Sequence, residues 1–323
     1  MNIRRLRSYL FLFRLYLLTS LSAPVLYAQV GSTELTGEVR DQTRLVIAGA
    51  TVALTNAQTN QRYGSRTKTG GVYAFTHLKP RVYTLTIEAP GFKRFRQDGL
   101  RLATGERVRL DVELVIGDVS ETLLVTGETP LLRTETGSLG QVIGNRTILD
   151  LPLNGRNFVP LVALSSGVAL PPGSSFPRIN GGRPRVNEYL YDGISVLQPE
   201  PGQVAFFPII DSIQEFKVEA NSPSAEFGRF NGGVINLTTK SGTNELHGSV
   251  FEFLRNEALN SRNLFAAATS ANPKKPLFRR SQFGFVLGGP LIKDKTFFFA
   301  DYQGTRQDIG RVRISTVPTL LQR

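Results

Sequence analysis

Side chains capable of covalent chemistry are sparse in this sequence. It has no cysteine and two histidines, His77 and His247, which stand far apart. The first fact removes thiol nucleophiles, thiolate metal sites and disulfides. The second leaves too few imidazoles for a zinc site or a nucleophile triad, so each reads as a strand or turn residue. No carboxylate pair stands beside a nucleophile in a pattern suited to acid–base catalysis. What the sequence does carry is a set of charges in strand-forming, glycine-rich surroundings: Arg183, Arg185, Glu215, Glu226 and Arg229. Such groups make hydrogen bonds and ion pairs at wetted surfaces. The lumen of a wide barrel or the solvated face of a soluble domain suits them. The expectation is a protein without enzymatic activity, cofactor or metal, whose chemistry is recognition and packing.

The net charge is +12, and Arg4, Arg5, Arg7 and Arg14 contribute four positives in a head without acids. The other positives are dispersed. No Lys/Arg stripe alternates with stacking aromatics, so nucleic acid is not an expected partner. A surface near anionic lipid headgroups fits better. The head reads as an address over residues 1–28: a basic start, a mostly apolar run from Leu15 to Leu26, and the small residue Ala28. That is the layout of a cleaved secretory signal. A retained anchor is the alternative, but Arg14 interrupts the run and the rest falls short of the roughly 20 residues a spanning helix needs. Without a cysteine after the signal, lipoprotein anchoring is not expected. No later segment is apolar enough for a spanning helix, so membrane insertion would have to use strands.

Residues 29–118 read as a first β domain. Val39, Val46, Val52 and Leu54 alternate with polar or small neighbours, as do Tyr73 and Phe75, then Tyr83, Leu85 and Ile87, then Val108, Leu110, Val112 and Leu114. Short strands at regular spacing, with no helical pattern between them, predict a small β-sandwich. Asp41-Gln42-Thr43, Gly70-Gly71, Pro80 and Pro90-Gly91 punctuate it. The spacing of Gly37, Val39 and Asp41, of Gly49, Ala50 and Val52, of Gly71, Tyr73, Phe75, Pro80 and Tyr83, and of Gly91-Phe92 resembles the carboxypeptidase regulatory-like domain. The resemblance implies a seven-stranded, transthyretin-like sandwich grouped with carbohydrate-binding-like folds. Its motif residues serve turns and core rather than a sugar site.

Residues 119–127 form a short extended linker. Glu121, Thr122, Leu123, Leu124, Val125 and Thr126 resemble a TonB box, the segment that an inner-membrane energy-coupling protein grips by strand addition. The last strand of the sandwich is the other reading.

From 128 to 243 the composition shifts to Gly, Asn, Arg and Ser. Short helices are expected at 147–151, ended by Pro152, and at 157–164, interrupted by Pro160. Strands are expected before Asp192-Gly193, over 213–218, and before Ser241-Gly242. This is a mixed α/β layer. Ile179-Asn180-Gly181-Gly182-Arg183, Tyr191-Asp192-Gly193, Glu215-Phe216, Glu226-Phe227-Gly228-Arg229 and Gly232-Gly233-Val234-Ile235-Asn236 resemble the plug domain of TonB-dependent receptors. Asn154-Gly155-Arg156-Asn157-Phe158 and the order of blocks resemble the Oar-like branch. The resemblance implies that the charged residues face a barrel lumen.

Residues 244–323 resemble the first strands of such a barrel: strand, long polar stretch, strand, short turn, strand. Phe251 and Phe253 share one side of the first, and Phe283, Phe285 and Leu287 one side of the second. Phe297–Phe299 and Tyr302 suit an aromatic girdle. Three strands do not close a barrel, and receptors of this type have about 22, so the chain reads as a truncated product that does not transport alone. The expected fold is mainly β: a transthyretin-like sandwich, an α/β plug, and the start of an incomplete transmembrane barrel.

The resemblance implies a Gram-negative outer-membrane receptor for energised uptake of a bulky nutrient: an oligosaccharide, peptide or siderophore. Its partners would be a TonB-type energy-coupling protein, outer-membrane lipid and the barrel assembly machinery. A secreted or periplasmic binding or adhesion protein, using the sandwich on carbohydrate, is the alternative.

Overall fold

The computed structural model describes residues 33–125, 137–198, 202–228, 230–262 and 274–310. The expected secretory signal at 1–28, Thr126 of the candidate TonB box and Arg229 lie outside them.

The sandwich uses nine short strands: β1 (Thr33–Asp41), β2 (Thr51–Asn56), β3 (Arg62–Arg66), β4 (Val72–Leu78), β5 (Arg81–Glu88), β6 (Arg94–Leu102), β7 (Arg107–Arg109), β8 (Val112–Leu114) and β9 (Thr122–Val125). One sheet runs β4-β1-β7, with β8 also on β1, and the other runs β3-β2-β5-β6-β9. Seven strands were expected. The count rises because Leu110-Asp111 splits one segment into β7 and β8, both parallel to β1, and because β9 joins the edge of β6. The alternation predicted in the sequence is the burial pattern: Leu35, Val39, Val52, Leu54, Tyr73, Phe75, Tyr83, Leu85, Ile87, Val108, Val112 and Leu114 fill one core. Val46 departs from it. It lies in an isolated bridge to Arg40 and is exposed. Tyr73 is buried with its hydroxyl, which donates to the Leu110 carbonyl at 2.7 Å and so repays its desolvation.

The next layer has a five-stranded sheet ordered β10-β15-β16-β13-β14. These strands are β10 (Leu139–Gly144), β13 (Glu188–Tyr191), β14 (Ile194–Ser195), β15 (Ile213–Asn221) and β16 (Val234–Thr239); β11 (Val168–Ala169) and β12 (Arg178–Ile179) pair separately. A helix covers Asn145–Asp150 and a short one Val159–Val162. Pro160 sits in the first turn of the second helix, where its missing N–H costs nothing, so it starts that helix rather than interrupting it. A second core forms here, separate from the first, from Ile143, Ile148, Phe158, Val162, Ile213, Phe216, Val218, Ile235 and Leu237 among others. Phe158 is its hub, edge-on to Phe216, Tyr191 and Phe207 with ring centroids 5.5, 6.4 and 6.3 Å away.

Last comes an antiparallel meander of β17 (His247–Asn256), β18 (Phe278–Ile292) and β19 (Thr296–Ile309). Its register sorts the two faces. Phe251 opposes Gly284, and Phe253 opposes Gln282. Phe285 opposes Tyr302, and Leu287 opposes Ala300. Val250, Leu254, Phe285, Leu287 and Tyr302 lie exposed on the outward face, as lipid-facing side chains of a membrane barrel must. Gln282 and Val286 are buried on the inward face, against the plug layer.

Phe158→Ala should cost about 3–5 kcal/mol in the second core. Hydrogen exchange at the amides of Ile213–Val218 should then accelerate strongly, while those of β2 stay unchanged, because the two cores share no buried apolar side chain. Equal acceleration in β2 would show that the cores unfold as one.

Candidate functional site: the plug layer and its two seams

The motif residues of the plug layer converge on the ends of its strands. Asp192 and Gly193 both adopt positive φ, +48° and +83°, in the two-residue turn between β13 and β14. That backbone is the one such hairpin turns require. The Asp192 carboxylate then reaches sideways to accept from the Thr239 amide at 3.0 Å and the Thr239 hydroxyl at 2.6 Å, pinning the end of β16. Tyr191 is buried and donates to the Phe206 carbonyl at 3.1 Å. Asn180 and Gly181 form another positive-φ turn, and the Asn180 amide donates to the Ala220 carbonyl at 2.7 Å, tying that turn to β15. A Cβ on Gly233 would lie 2.6 Å from the Glu219 carbonyl oxygen, so glycine is required where the chain passes β15. Gly232 is hemmed in by Val186 and Asn187. These residues shape the layer.

The first seam joins this layer to the sandwich. Glu215, Lys217 and Glu219 alternate along β15 on the face opposite the apolar core, and all three are buried. The sandwich segment Ala103–Glu106 covers this face. Glu215 Oε1 accepts from the Thr104 amide at 2.5 Å and the Thr104 hydroxyl at 2.8 Å. Thr104 Oγ1 also lies 2.9 Å from the Thr238 hydroxyl, and Arg101 approaches the other Glu215 oxygen at 3.6 Å. Lys217 donates to the Gly105 carbonyl at 2.9 Å and pairs with Glu219 at 2.7 Å. Further along, Arg81 donates to Ser241 Oγ at 2.6 Å, and burial pushes the Arg81 guanidinium pKa down. The Asn244 amide donates to the Gln58 carbonyl at 3.0 Å, and Asp294 accepts from both Asn60 and Asn244. The sandwich thus meets the plug layer and the short β18–β19 turn.

The second seam joins the layer to the barrel strands. Gly155 and Arg156 take positive φ, +79° and +53°, and turn the Arg156 guanidinium into a charged contact with Asp211. It stacks over both Phe251 and Phe253, 4.3 Å from each centroid, a cation–π arrangement strengthened by its burial. Burial lowers the pKa of the neighbouring Lys240 amine, with Asp211 opposing. Arg255 donates to Asn154 at 2.9 Å.

The expected lumen-facing charges therefore divide. Glu215 faces the sandwich instead, because β15 turns its charged side towards Thr104. Arg185 stacks on Phe176 of its own layer at 4.5 Å. Arg183 and Glu226 are exposed, and Asn236 is buried near Gly105. Phe227 and Gly228 follow a turn in which the Phe227 amide donates to the Ser224 carbonyl at 2.9 Å. Residues 119–127 take the second of their two readings, the last strand of the sandwich: Thr122–Val125 runs parallel to Arg94–Gln97 as β9. It stays there because Arg94 N–H donates to the Glu121 carbonyl at 2.9 Å, Lys93 pairs with Glu121 at 2.6 Å, and Val125 packs on the sandwich core. The sequence reading passed over Thr104, Lys217, Thr238 and Asp211. No local pattern could have joined Thr104 to a carboxylate 111 positions away.

Residues 34–115 match the carboxypeptidase regulatory-like domain, and residues 238–323 match the outer membrane beta barrel domain. The TonB-dependent transporter Oar of Myxococcus xanthus is 29% identical over 280 residues, covering 84% of this chain. The chain is similar to a TonB-dependent transporter over most of its length. It spans 26% of that relative's length. Among solved structures, the siderophore receptor PirA from Acinetobacter baumannii aligns over 53% of this chain and 25% of its own, at 25% identity and TM-score 0.40. The outer membrane transporter YddB from Escherichia coli aligns over 53% and 26%, at 18% identity and TM-score 0.43. The chain resides in the outer membrane of a Gram-negative bacterium.

Because the chain has no native cysteine, the first seam can be tested cleanly. A Thr104→Cys/Thr238→Cys pair should form a disulfide under mild oxidation. Adding Glu215→Ala, which removes the acceptor holding Thr104, should slow that bridge about tenfold, a loss of roughly one charged hydrogen bond. An unchanged rate would mean the carboxylate does not hold the seam.

Proposed function

We propose that the chain provides the plug-bearing part of a receptor for energised uptake of a bulky nutrient. The observation that supports this best is the position of the plug layer. One side is capped by the sandwich, which also meets the short β18–β19 turn, and the other is fastened to the inward face of the barrel strands. In outer-membrane barrels short turns lie on the periplasmic side, so the sandwich faces the periplasm.

In this reading residues 128–243 act as the plug, and the motif glycines, Asp192 and Asn180 keep its strand ends in place. Glu121–Thr126 is the segment captured by a TonB-type energy-coupling protein. β9 stands at the end of its sheet, with β6 on one side and Leu123 and Leu124 exposed. An edge of this kind accepts a further strand. Outer-membrane lipid contacts Val250, Leu254, Phe285, Leu287 and Tyr302, and the barrel assembly machinery inserts the strands. The sandwich fold leans towards oligosaccharides or peptides over siderophores as cargo. The protein acts as a receptor and not as an enzyme.

The test is capture of the detergent-solubilised chain by the immobilised periplasmic domain of the host's energy-coupling protein. The unmodified chain should be retained. Leu124→Pro, which removes a ladder donor in the middle of β9, should be lost from the resin. Retention of both would move the gripped segment elsewhere, and retention of neither would overturn the reading.

A further inference from the structure

A cavity of about 660 Å³ opens between the Asn154-Gly155-Arg156 turn of the plug layer and the ends of β17 and β18 remote from the short turn. This is a size typical of small-molecule sites. Three guanidinium groups line it, from Arg156, Arg255 and Arg280. Arg156 has its charge matched by Asp211, but its Nε is buried without a hydrogen-bond partner. The other two have no carboxylate. Arg255 donates to the neutral Asn154 amide oxygen, and Arg280 to the neutral Gln307 amide oxygen at 2.5 Å. Among the described residues neither forms an ion pair. Both lie over one ring, that of Phe278, at 4.7 and 5.3 Å from its centroid. Two like charges held on one ring repel each other, and an anion between them would relieve that. Asp150 is the acid on the lining, and it is exposed. Leu153 and Phe253 add an apolar wall.

The register places Arg255, Arg280 and Gln282 with Phe253 on the inward face, away from lipid. We propose that this cavity is a binding site for an oxyanion group, carboxylate or phosphate, carried by a partly apolar solute entering from outside the cell. The orientation rests on the receptor reading above, and the site gives its cargo a chemical class. Arg255 and Arg280 grip the anion through their free guanidinium edges. Arg156 offers its unpartnered Nε from below.

The test is isothermal titration of the full chain in detergent micelles with tricarballylate, with inorganic pyrophosphate, and with glucose as a neutral control. The expected result is saturable binding of one or both anions and none of glucose. The arm that binds tighter identifies carboxylate or phosphate. Arg255→Gln/Arg280→Gln should weaken binding at least tenfold, and Arg279→Gln, on the outward face, should leave it unchanged. A parallel measurement needs no variant. Phenylglyoxal should modify Arg255 and Arg280 in the unmodified chain, and the bound anion should protect both. No saturable binding, equal affinity in the double variant, or absence of protection overturns the site. A chain that is still captured by the energy-coupling protein but binds neither anion would remove this site and leave the receptor reading standing.

Discussion

A buried carboxylate holds the arrangement together. Glu215 lies 3% exposed between the sandwich and the plug sheet, and a charge cannot stay there unless donors surround it. Thr104 supplies two, and Arg101 supplies a compensating charge nearby. Removing one partner of a buried charged pair costs about 3–5 kcal/mol when the other stays dry. Glu215 therefore fixes where the Ala103–Glu106 segment meets the plug sheet. Lys217 repeats the device one pair along, with the Gly105 carbonyl and Glu219 as acceptors.

That chemistry decides how the two bodies can move. Buried apolar side chains divide into two clusters with no shared member. Between them lie hydrogen bonds. An apolar interface that opens exposes surface at about 25 cal/mol per Å², whereas a polar one that opens is rehydrated and recovers most of its energy, since the net worth of a typical hydrogen bond is only about 1 kcal/mol. The seam is specific when closed and inexpensive to open.

Much of this was legible in the sequence, and the limit has a physical cause. Period-two alternation reports which side of a strand is apolar, so the sandwich core, the ends of β17 and the turn at Asp192-Gly193 could all be read directly. It does not report what covers the polar side. Glu215 reads as a lumen-facing charge because a charge in a strand usually meets water; here it meets Thr104, more than a hundred residues upstream. Phe251 and Phe253 show the converse. Aromatics in a barrel strand suggest lipid, but the cation–π contact with Arg156 turns them inward and leaves Val250 and Leu254 outside. The two readings of residues 119–127 stayed open for a third reason. Leu123 to Val125 has strand propensity with no local partner, and its partner, β6, was visible only once the fold was closed.

The joints also differ in the order in which they would yield. A pull on Glu121–Val125 first meets β9, which is held to β6 over four residue pairs at the edge of the sheet. Peeling these away breaks a few backbone bonds, each worth about 1 kcal/mol net, and leaves the sandwich core intact, because β9 contributes to it only through the partly buried Val125. The tension then passes along the chain to β10, another edge strand, paired antiparallel with β15 from Leu139 to Gly144. β15 carries Phe216 on one face and Glu215 on the other. A load on β10 therefore acts next to both the plug core and the polar seam. The seam is the softer of the two, since its groups can take water in exchange while Phe216 and Phe158 cannot. Geometry and chemistry together make the sandwich release its edge strand first, the polar seam second and the plug core last.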